Sequence, residues 1–387
     1  MYLIFDIGKT NKKCFLFDED YQEVWKAYVQ FPEIVDKDGF PCDDLPAITR
    51  WIKSTFQKLL KQKKYQIKSV NFSTYGASFV HIDSKGKVLT PLYNYLKPYP
   101  PKVLKSFHQK YGSKNKIAQE TASPASGMLN SGLQLYWLKH TQPNTYKRIR
   151  WSLHFPQYLS YLLTGIPVSD FTSVGCHTSL WDYEEQDYHE WVYAENIHQK
   201  LPPIVDTDTS IRKKVADRFL RIGVGIHDSS AALLPYFKAS DQAFLLISTG
   251  TWSIALNPFN NSDLSQKDLK KDGLNYMRID GHPVQASRLF LGKEYSLQLK
   301  KLRDYYQVDK KAHRTVKFSE SIYQQLTEKF QHYFTFEAIN TKRTQPKTTI
   351  LSSFATFEVA YHQLMIELVE LQIAHAERAI GKTAVEK

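Results

Sequence analysis

Apolar and polar positions alternate from the first residues of the chain. Tyr2-Leu-Ile-Phe-Asp-Ile7, Lys13-Cys-Phe-Leu-Phe17 and residues 23–29 each carry the period of a half-buried strand. Gly8-Lys9-Thr10-Asn11 and Asp18-Glu-Asp20 supply the turns between them. The period then changes. Ile48, Ile52, Phe56 and Leu59/Leu60 fall on one helical face, which predicts an amphipathic helix over 46–63. Ser69-Val-Asn-Phe-Ser73 returns to a strand, closed by Thr74-Tyr75-Gly76, and 80–89 reads as a hairpin-like return around Lys85-Gly86. Three strands, a helix and a strand make a mixed α/β module.

Further on, 98–126 reads as loop, opened by the breaker Pro98-Tyr-Pro-Pro101. Helices are predicted over 130–139 and 156–163, the second stopped where Gly165 can take a left-handed cap. Residues 169–180 are small and polar, and 188–196 has a short helical pattern. A strand over 243–247 runs through Ser248-Thr249-Gly250-Thr251 into a second strand over 252–256. Residues 310–343 are basic and loop-rich around one helix. Residues 353–380 give the strongest helix signal: Phe357, Tyr361, Leu364, Leu368 and Leu371 recur at three and four, with Glu358, Glu367, Glu370, Glu377 and Arg378 on the polar faces.

One pattern recurs. Phe5-Asp-Ile-Gly8-Lys-Thr-Asn and Ile247-Ser-Thr-Gly250-Thr-Trp-Ser place a glycine at the same point of a strand-turn-strand. Turns of Ser, Thr and Gly present backbone N–H and hydroxyl donors without bulk, which suits a phosphate. Two such hairpins can pinch a polyphosphate, with the ligand in a cleft between two domains. Gly225-Ile-His-Asp228-Ser-Ser adds a carboxylate upstream of the second turn, the pairing that phosphoryl transfer needs.

The 387 residues allow two or three domains, and 42% hydrophobic content fits a globular chain. The net charge of +12 favours anionic partners, but the lysines are dispersed and no zinc-finger spacing occurs, so nucleic acid is disfavoured. Three scattered cysteines, Cys14, Cys42 and Cys176, argue against a disulfide framework or zinc site and suit a reducing cytosol. The N-terminus begins directly with a strand rather than a signal peptide, and no apolar run is long enough to span a membrane.

Taken together, the motifs resemble the FGGY carbohydrate kinases of the actin-like ATPase superfamily. Asp6-Ile-Gly8-Lys-Thr10-Asn-Lys-Lys13 resembles the first phosphate hairpin, Gly225-Ile-His-Asp228 the catalytic-Asp motif, and Ser248-Thr-Gly250-Thr-Trp252 the second phosphate hairpin. Trp137-Leu-Lys139, Gln157-Tyr-Leu-Ser-Tyr-Leu-Leu-Thr-Gly165 and Ala360-Tyr-His362 are similar to the helical signatures, in order along nearly the whole chain. Thr74-Tyr75-Gly76 and Gly250-Thr-Trp252 are closest in pattern to the rhamnulose and fuculose kinases.

The resemblance implies two duplicated ribonuclease-H-like α/β domains, 1–221 and 222–387. It also implies ATP-dependent phosphorylation of a ketose, with a 6-deoxyhexulose (L-rhamnulose or L-fuculose) ahead of xylulose or another pentulose. Asp228 would be the general base, although Asp before Ser-Ser-Ala-Ala would also cap a helix. Asp6 would position Mg2+ through water. Gly8, Thr10, Asn11 and Lys13 would line one side of the phosphates and Thr249, Gly250 and Thr251 the other, Lys13 being equally readable as an exposed strand lysine. Tyr75, Gly76, Ala77 and Ser78 would begin the sugar pocket, unless Tyr75 is core. His227 reads as a structural neighbour, and Trp252 as packing.

Departures from the family pattern stand at Lys9, Ser78, Asn94 and Gln157, where a small residue or Asp is usual, and they bear on the sugar's identity. After the long helix only seven residues follow, 381–387, without the glycine-rich turn that holds adenosine in the family. The second domain is therefore expected to be incomplete. A sugar-binding pseudokinase is the competing class, and a basic nucleic-acid binder a third. Uncovered sheet edges and a helix face would make the chain poorly soluble or lead it to pair, a homodimer being one option.

Overall fold

The alternation of the N-terminal residues is realised as a sheet interior. In the computed structural model, which describes residues 1–215, 217–239, 242–339 and 346–385, β1 (Tyr2–Ile7) pairs antiparallel with β2 (Lys12–Phe17), from Tyr2↔Phe17 to Ile7↔Lys12. On its other side β1 pairs parallel with β4 (Ser69–Thr74), from Tyr2↔Ser69 to Ile7↔Thr74. β3 (Glu23–Val29) extends the sheet beyond β2. Leu3, Phe5 and Ile7 are fully buried and pack with Ile48, Ile52 and Leu59 of α1 (Leu45–Leu60). Each such side chain contributes about 1.5–3 kcal/mol by leaving water. Asp44 starts α1 by accepting from the Ala47 N–H at 2.8 Å, with Pro46 in the first turn where its missing N–H costs nothing.

The chain divides into two compact units, Met1–Asp241 with Asp263–Val284, and Gln242–Ser262 with Gln285–Lys387. In the first unit the seven-stranded sheet continues past β4 into β6 (Arg218–Gly223) and β5 (Ser210–Val215), while β7 (Ile226–His227) also pairs β4. The order β3-β2-β1-β4, with β2 antiparallel, is ribonuclease-H-like. The division expected at 221/222 falls inside this unit, because Ile226 and His227 continue alongside β4 at Ser73 and Thr74. That pairing carries Asp228 and the helix it opens, α2 (Asp228–Ala239), into the first unit.

Several local expectations change. The stretch 98–126, expected as loop, holds helices Pro101–Tyr111 and Lys114–Glu120. Pro101 opens the first of these instead of breaking it, since proline is tolerated in a first turn. Its Phe107 anchors a second core with Tyr136 and Trp191. Residues 83–87 do form a tight turn, but the strand before it, Phe79–Ile82, pairs chiefly with Trp151–His154. Gly165 takes the left-handed cap at φ 73° as expected.

The second unit holds an antiparallel run of β8 (Leu246–Thr249), β9 (Ser253–Asn257) and β10 (Pro283–Leu289). α3 (Leu291–Tyr306) and α4 (Phe357–Ile380) share a core of Leu302, Phe334, Phe354, Leu364 and Leu368. α4 starts at Phe357 because Thr356 accepts from the Val359 N–H at 3.3 Å. Glu367, expected on its polar face, is buried and accepts from the Tyr333 N–H at 2.7 Å. Lys342 and Arg343 of the expected basic stretch lie outside the described residues.

Candidate active site

The first hairpin is held by charge as well as by its ladder. The turn between β1 and β2 is closed by the Gly8 N–H donating to the Asn11 carbonyl at 2.9 Å. Lys12, only 1% exposed, points inward and pairs with Asp43 at 2.8 Å. Lys9 reaches the same carboxylate at 2.6 Å, and the Tyr75 hydroxyl donates to it at 2.8 Å. Burial alone would raise the Asp43 pKa, but Lys9 and Lys12 overcome it and hold the group below the usual carboxylate range. Lys9, a departure from the family pattern, thus has a structural partner here. Lys13 points to the opposite face, where its ammonium lies 3.3 Å from Asp6, its cross-strand partner. Thr10 and Asn11 are exposed, and Asn11 accepts from the Gln30 amide at 2.7 Å.

Asp228 is the first residue of α2. Gly225 makes the approach possible: its φ is 91°, and a Cβ there would meet the Pro156 carbonyl at 2.6 Å. Below the motif, the Gln157 amide donates to Asp170 at 2.9 Å and to the Gly225 carbonyl at 3.1 Å. Asp170 also accepts from the Thr172 and Thr207 hydroxyls, and the Thr172 hydroxyl accepts from the His227 N–H at 3.1 Å. This buried network fixes the backbone on which Asp228 stands. Asp170 carries no periodic or motif signal that would assign it this role in the sequence, and Gln157 is readable there only as the first residue of a helical signature.

The Asp228 side chain is 39% exposed, so its carboxylate meets water although protein surrounds the residue. Desolvation pushes its pKa up to about 7, and the Asp6 charge adds to the rise against hydrogen bonds from Ser229. The His227 Nε2 lies 3.2 Å from Asp228 Oδ1 and 3.3 Å from Cys176 Sγ. Burial lowers the His227 pKa to about 4, so the imidazole is neutral at pH 7 and its contact with Asp228 is not an ion pair.

Of the residues expected to begin a sugar pocket, Tyr75, Ala77 and Ser78 are buried and Gly76 is partly exposed. Tyr75 is spent on Asp43, with its hydroxyl pKa raised by burial and then by that carboxylate. The Ala77 carbonyl accepts from Gln134 at 2.9 Å. The Ser78 hydroxyl is buried with no protein partner. A Cβ at Gly76 would come within 2.8 Å of Cys176 Sγ and 2.9 Å of His227 Nε2. Gly76 therefore packs against the imidazole beside Asp228.

In the second unit, the Gly250 N–H donates to the Trp252 carbonyl at 2.9 Å, closing the turn between β8 and β9. The glycine N–H is spent inside the turn in both hairpins. Thr10, Thr249 and Thr251 are exposed, which leaves their hydroxyls and the remaining turn groups for a phosphate. Trp252 stacks on Phe290 at 4.3 Å, the packing role expected for it. A recess of about 250 Å3 adjoins this turn, walled by Thr249, Gly250, Gly292, Tyr295, Met365 and Gln372. A larger apolar groove of about 590 Å3 runs along α4, shares Tyr361, Met365 and Val369 with the recess, and opens at Phe318 and Ile373. Only the smaller recess touches hairpin residues, so it is the better candidate for a nucleotide in this unit. Among the described residues no helix is long and apolar enough to cross a membrane.

The family of carbohydrate kinases named FGGY matches this chain twice, its N-terminal domain over residues 1–232 and its C-terminal domain over 241–331. A rhamnulokinase from Halalkalibacterium halodurans is 26% identical over 264 residues, covering 64% of this chain and 52% of the relative. A rhamnulokinase from Bacteroides thetaiotaomicron is 25% identical over 51% of this chain and 42% of its own. The chain thus spans about half the length of the curated relatives it matches. Among solved structures, a carbohydrate kinase from Novosphingobium aromaticivorans superposes with a TM-score of 0.75 at 22% identity, over 100% of this chain and 84% of that one. A gluconate kinase from Lactobacillus acidophilus gives 0.76 at 16% identity, over 99% and 79%.

Proposed function

The chain belongs to the FGGY family of carbohydrate kinases, and from that premise we propose that it transfers the γ-phosphoryl group of ATP to a hydroxyl of a ketose. The observation that carries this reading is the Asp228 carboxylate, which reaches water, opens a helix and has a pKa of about 7. A base poised near the working pH is what proton transfer from a hydroxyl requires. The sugar oxygen forms its bond to the γ-phosphorus as its proton passes to Asp228, the bond to the bridging oxygen breaks, and ADP leaves with that electron pair. The exposed groups of Thr10, Asn11, Thr249 and Thr251 and the partly exposed Lys13 would bind phosphate oxygens, and Gly8 and Gly250 would put no side chain in a phosphate's way.

Asp6 fits Mg2+. It offers a partly exposed carboxylate, and its charge already raises the proton affinity of Asp228. Among the described residues no cluster of three potential ligand side chains occurs, so the ion would keep water as most of its shell. When bound it would neutralise phosphate charge, and Lys13 would add a second positive group beside Asp6. A 6-deoxyhexulose is the favoured sugar, supported by the rhamnulokinase relatives and by Thr74-Tyr75-Gly76 and Gly250-Thr-Trp252. A pentulose is the runner-up.

A coupled ADP-release assay over a ketose panel tests the reading. Since the base must be ionised, kcat/KM should rise with pH through about 7. Asp228→Asn should lower kcat by about 10^2- to 10^4-fold, and undiminished turnover would remove Asp228 from the mechanism. Calorimetry showing ketose binding without ATP binding would instead favour a non-catalytic sugar-binding protein.

A further inference from the structure

The apolar groove along α4 has no part in the phosphoryl transfer as written. Phe318, Tyr323, Phe330, Met365, Val369 and Ile373 are exposed large apolar side chains, and all six line this groove. Phe318 is 71% exposed and Ile373 53%. Apolar side chains scattered singly over a surface are ordinary, but six gathered in one groove mark an interaction surface. The polar groups around them are engaged within the unit. The Tyr361 hydroxyl lies 3.0 Å from that of Tyr295, and Glu370 lies 2.8 Å from His332. His362 accepts from the Ser319 N–H at 3.0 Å and donates through Nδ1 to the Glu358 carbonyl at 2.8 Å. A sugar or nucleotide would find little to bond here, whereas the apolar side chains of another protein surface would fill the groove.

Two features of this face select its occupant. Met365, Val369 and Ile373 are spaced by four along α4, so they form one stripe that reads alike in both directions from Val369. The charges at its two ends are opposite. Lys317 lies in the groove wall beside Phe318, whose ring is 6.3 Å from that of His362, seven positions before Val369. Glu377 follows Ile373 by one turn, eight positions after Val369. The two charges thus stand about 10–12 Å to either side of Val369 along the helix. Both are exposed, and neither has an ion pair among the described residues.

We propose that two copies of this chain meet on this face, their α4 helices packed antiparallel about a two-fold axis at Val369. The axis sets Phe318 of each copy against Ile373 of the other, and Lys317 of each against Glu377 of the other. A face of one sign would repel its own copy, whereas this one carries both signs at matching distances from the axis, as a self-complementary contact requires. The pairing uses neither Asp228 nor the phosphate turns, so it stands or falls apart from the reading of the reaction.

Analytical ultracentrifugation of the full chain tests this. A closed dimer should form with a Kd at or below about 10 µM. Phe318→Glu and Ile373→Glu alter solvent-facing side chains that do not touch the recess beside the second turn, so both should keep the wild-type circular-dichroism spectrum. Each should weaken the dimer by about 100-fold or more, since it sets a carboxylate in the apolar centre of the contact. Lys317→Glu should weaken it by about 3- to 30-fold, because both symmetry-related pairs are lost together. Adding Glu377→Lys restores both pairs with the signs exchanged and should return the Kd to near the wild-type value. A monomer up to about 100 µM overturns the proposal, as do open-ended oligomers, which a two-fold contact cannot form. A dimer indifferent to Phe318→Glu and Ile373→Glu, or a charge exchange that recovers nothing, overturns it as well. A chain that stays monomeric and binds phosphatidylcholine vesicles, with the binding lost in Phe318→Glu, would assign the groove to lipid instead and overturn the pairing.

Discussion

The two glycine hairpins share a sequence design and differ in what holds them. In both, a strand of four to six residues enters a short turn and the glycine N–H closes it onto a carbonyl two or three residues on. β1 is flanked by β2 and β4, and alternate residues along it are fully buried. β8 lies at the end of its sheet and has β9 as its neighbour among the described residues; none of its four residues is buried, and Ile247 is 39% exposed. The first turn is braced by ion pairs from Lys9 and Lys12 to Asp43. The second is braced by backbone contact: a Cβ on Gly292, at the start of α3, would meet the Gly250 carbonyl at 2.1 Å. The repeat therefore encodes the turn, and each unit supplies its own support.

Breaking the charged support should have the largest effect on stability. Asp43→Ala leaves the buried Lys12 ammonium with the Lys9 carbonyl at 2.8 Å as its remaining acceptor. Removing one partner of a buried pair costs about 3–5 kcal/mol. Urea denaturation should show that loss, and a change below about 1 kcal/mol would mean that water already reaches the pair. The pH dependence has a definite sign. The folded pKa of Asp43 is depressed, so its contribution is present above the unfolded value near 3.8 and is lost as pH falls through the folded value. The Asp43→Ala chain should lack that acid-side loss.

The steric support comes next. Gly292→Ala sets a methyl group against the backbone of the second turn, a contact no rotamer can relieve. Overpacking of this kind costs about 1–3 kcal/mol. The shift should appear in the hairpin itself, read as faster amide exchange at Thr249 and Ser253, the last ladder pair of β8 and β9. Unchanged exchange there would show that the turn and α3 move apart without resistance.

Legibility in the sequence follows the same division. The strands, the turns and α4 were readable because periodicity and glycine placement are local properties. Asp6, Asp228 and both turns were readable because short motifs carry them. The Lys12–Asp43 pair was not, since nothing local distinguishes Asp43 from Asp44 beside it, and only the α1 approach brings it under β2. Cys176 reaches the His227 ring across 51 positions and Thr172 its backbone N–H across 55, as long-range contacts made by the packed fold. Glu367 shows the converse. Its place in the heptad-like pattern reads as surface, and it is buried because two backbone N–H groups of 333–334 need an acceptor.

The smallest effect separates structure from function at the glycines themselves. A Cβ on Gly8 would lie 3.1 Å from the Asn11 carbonyl, tighter than ordinary contact, whereas on Gly250 the nearest atom, the Trp252 carbonyl, is 3.9 Å away. Neither residue has the positive φ that would forbid a side chain. Gly8→Ala should therefore cost up to about 1 kcal/mol, while Gly250→Ala should be neutral or stabilise by up to about 1 kcal/mol through the unfolded chain. The folded protein thus supplies no reason for glycine at 250. If the turn receives a phosphate, Gly250→Ala should raise KM for ATP or lower kcat while melting at or above the wild-type temperature. Equal stability with equal kinetics would leave the second hairpin as a structural repeat, and the phosphate site would then rest on Thr10, Asn11 and Lys13 of the first hairpin.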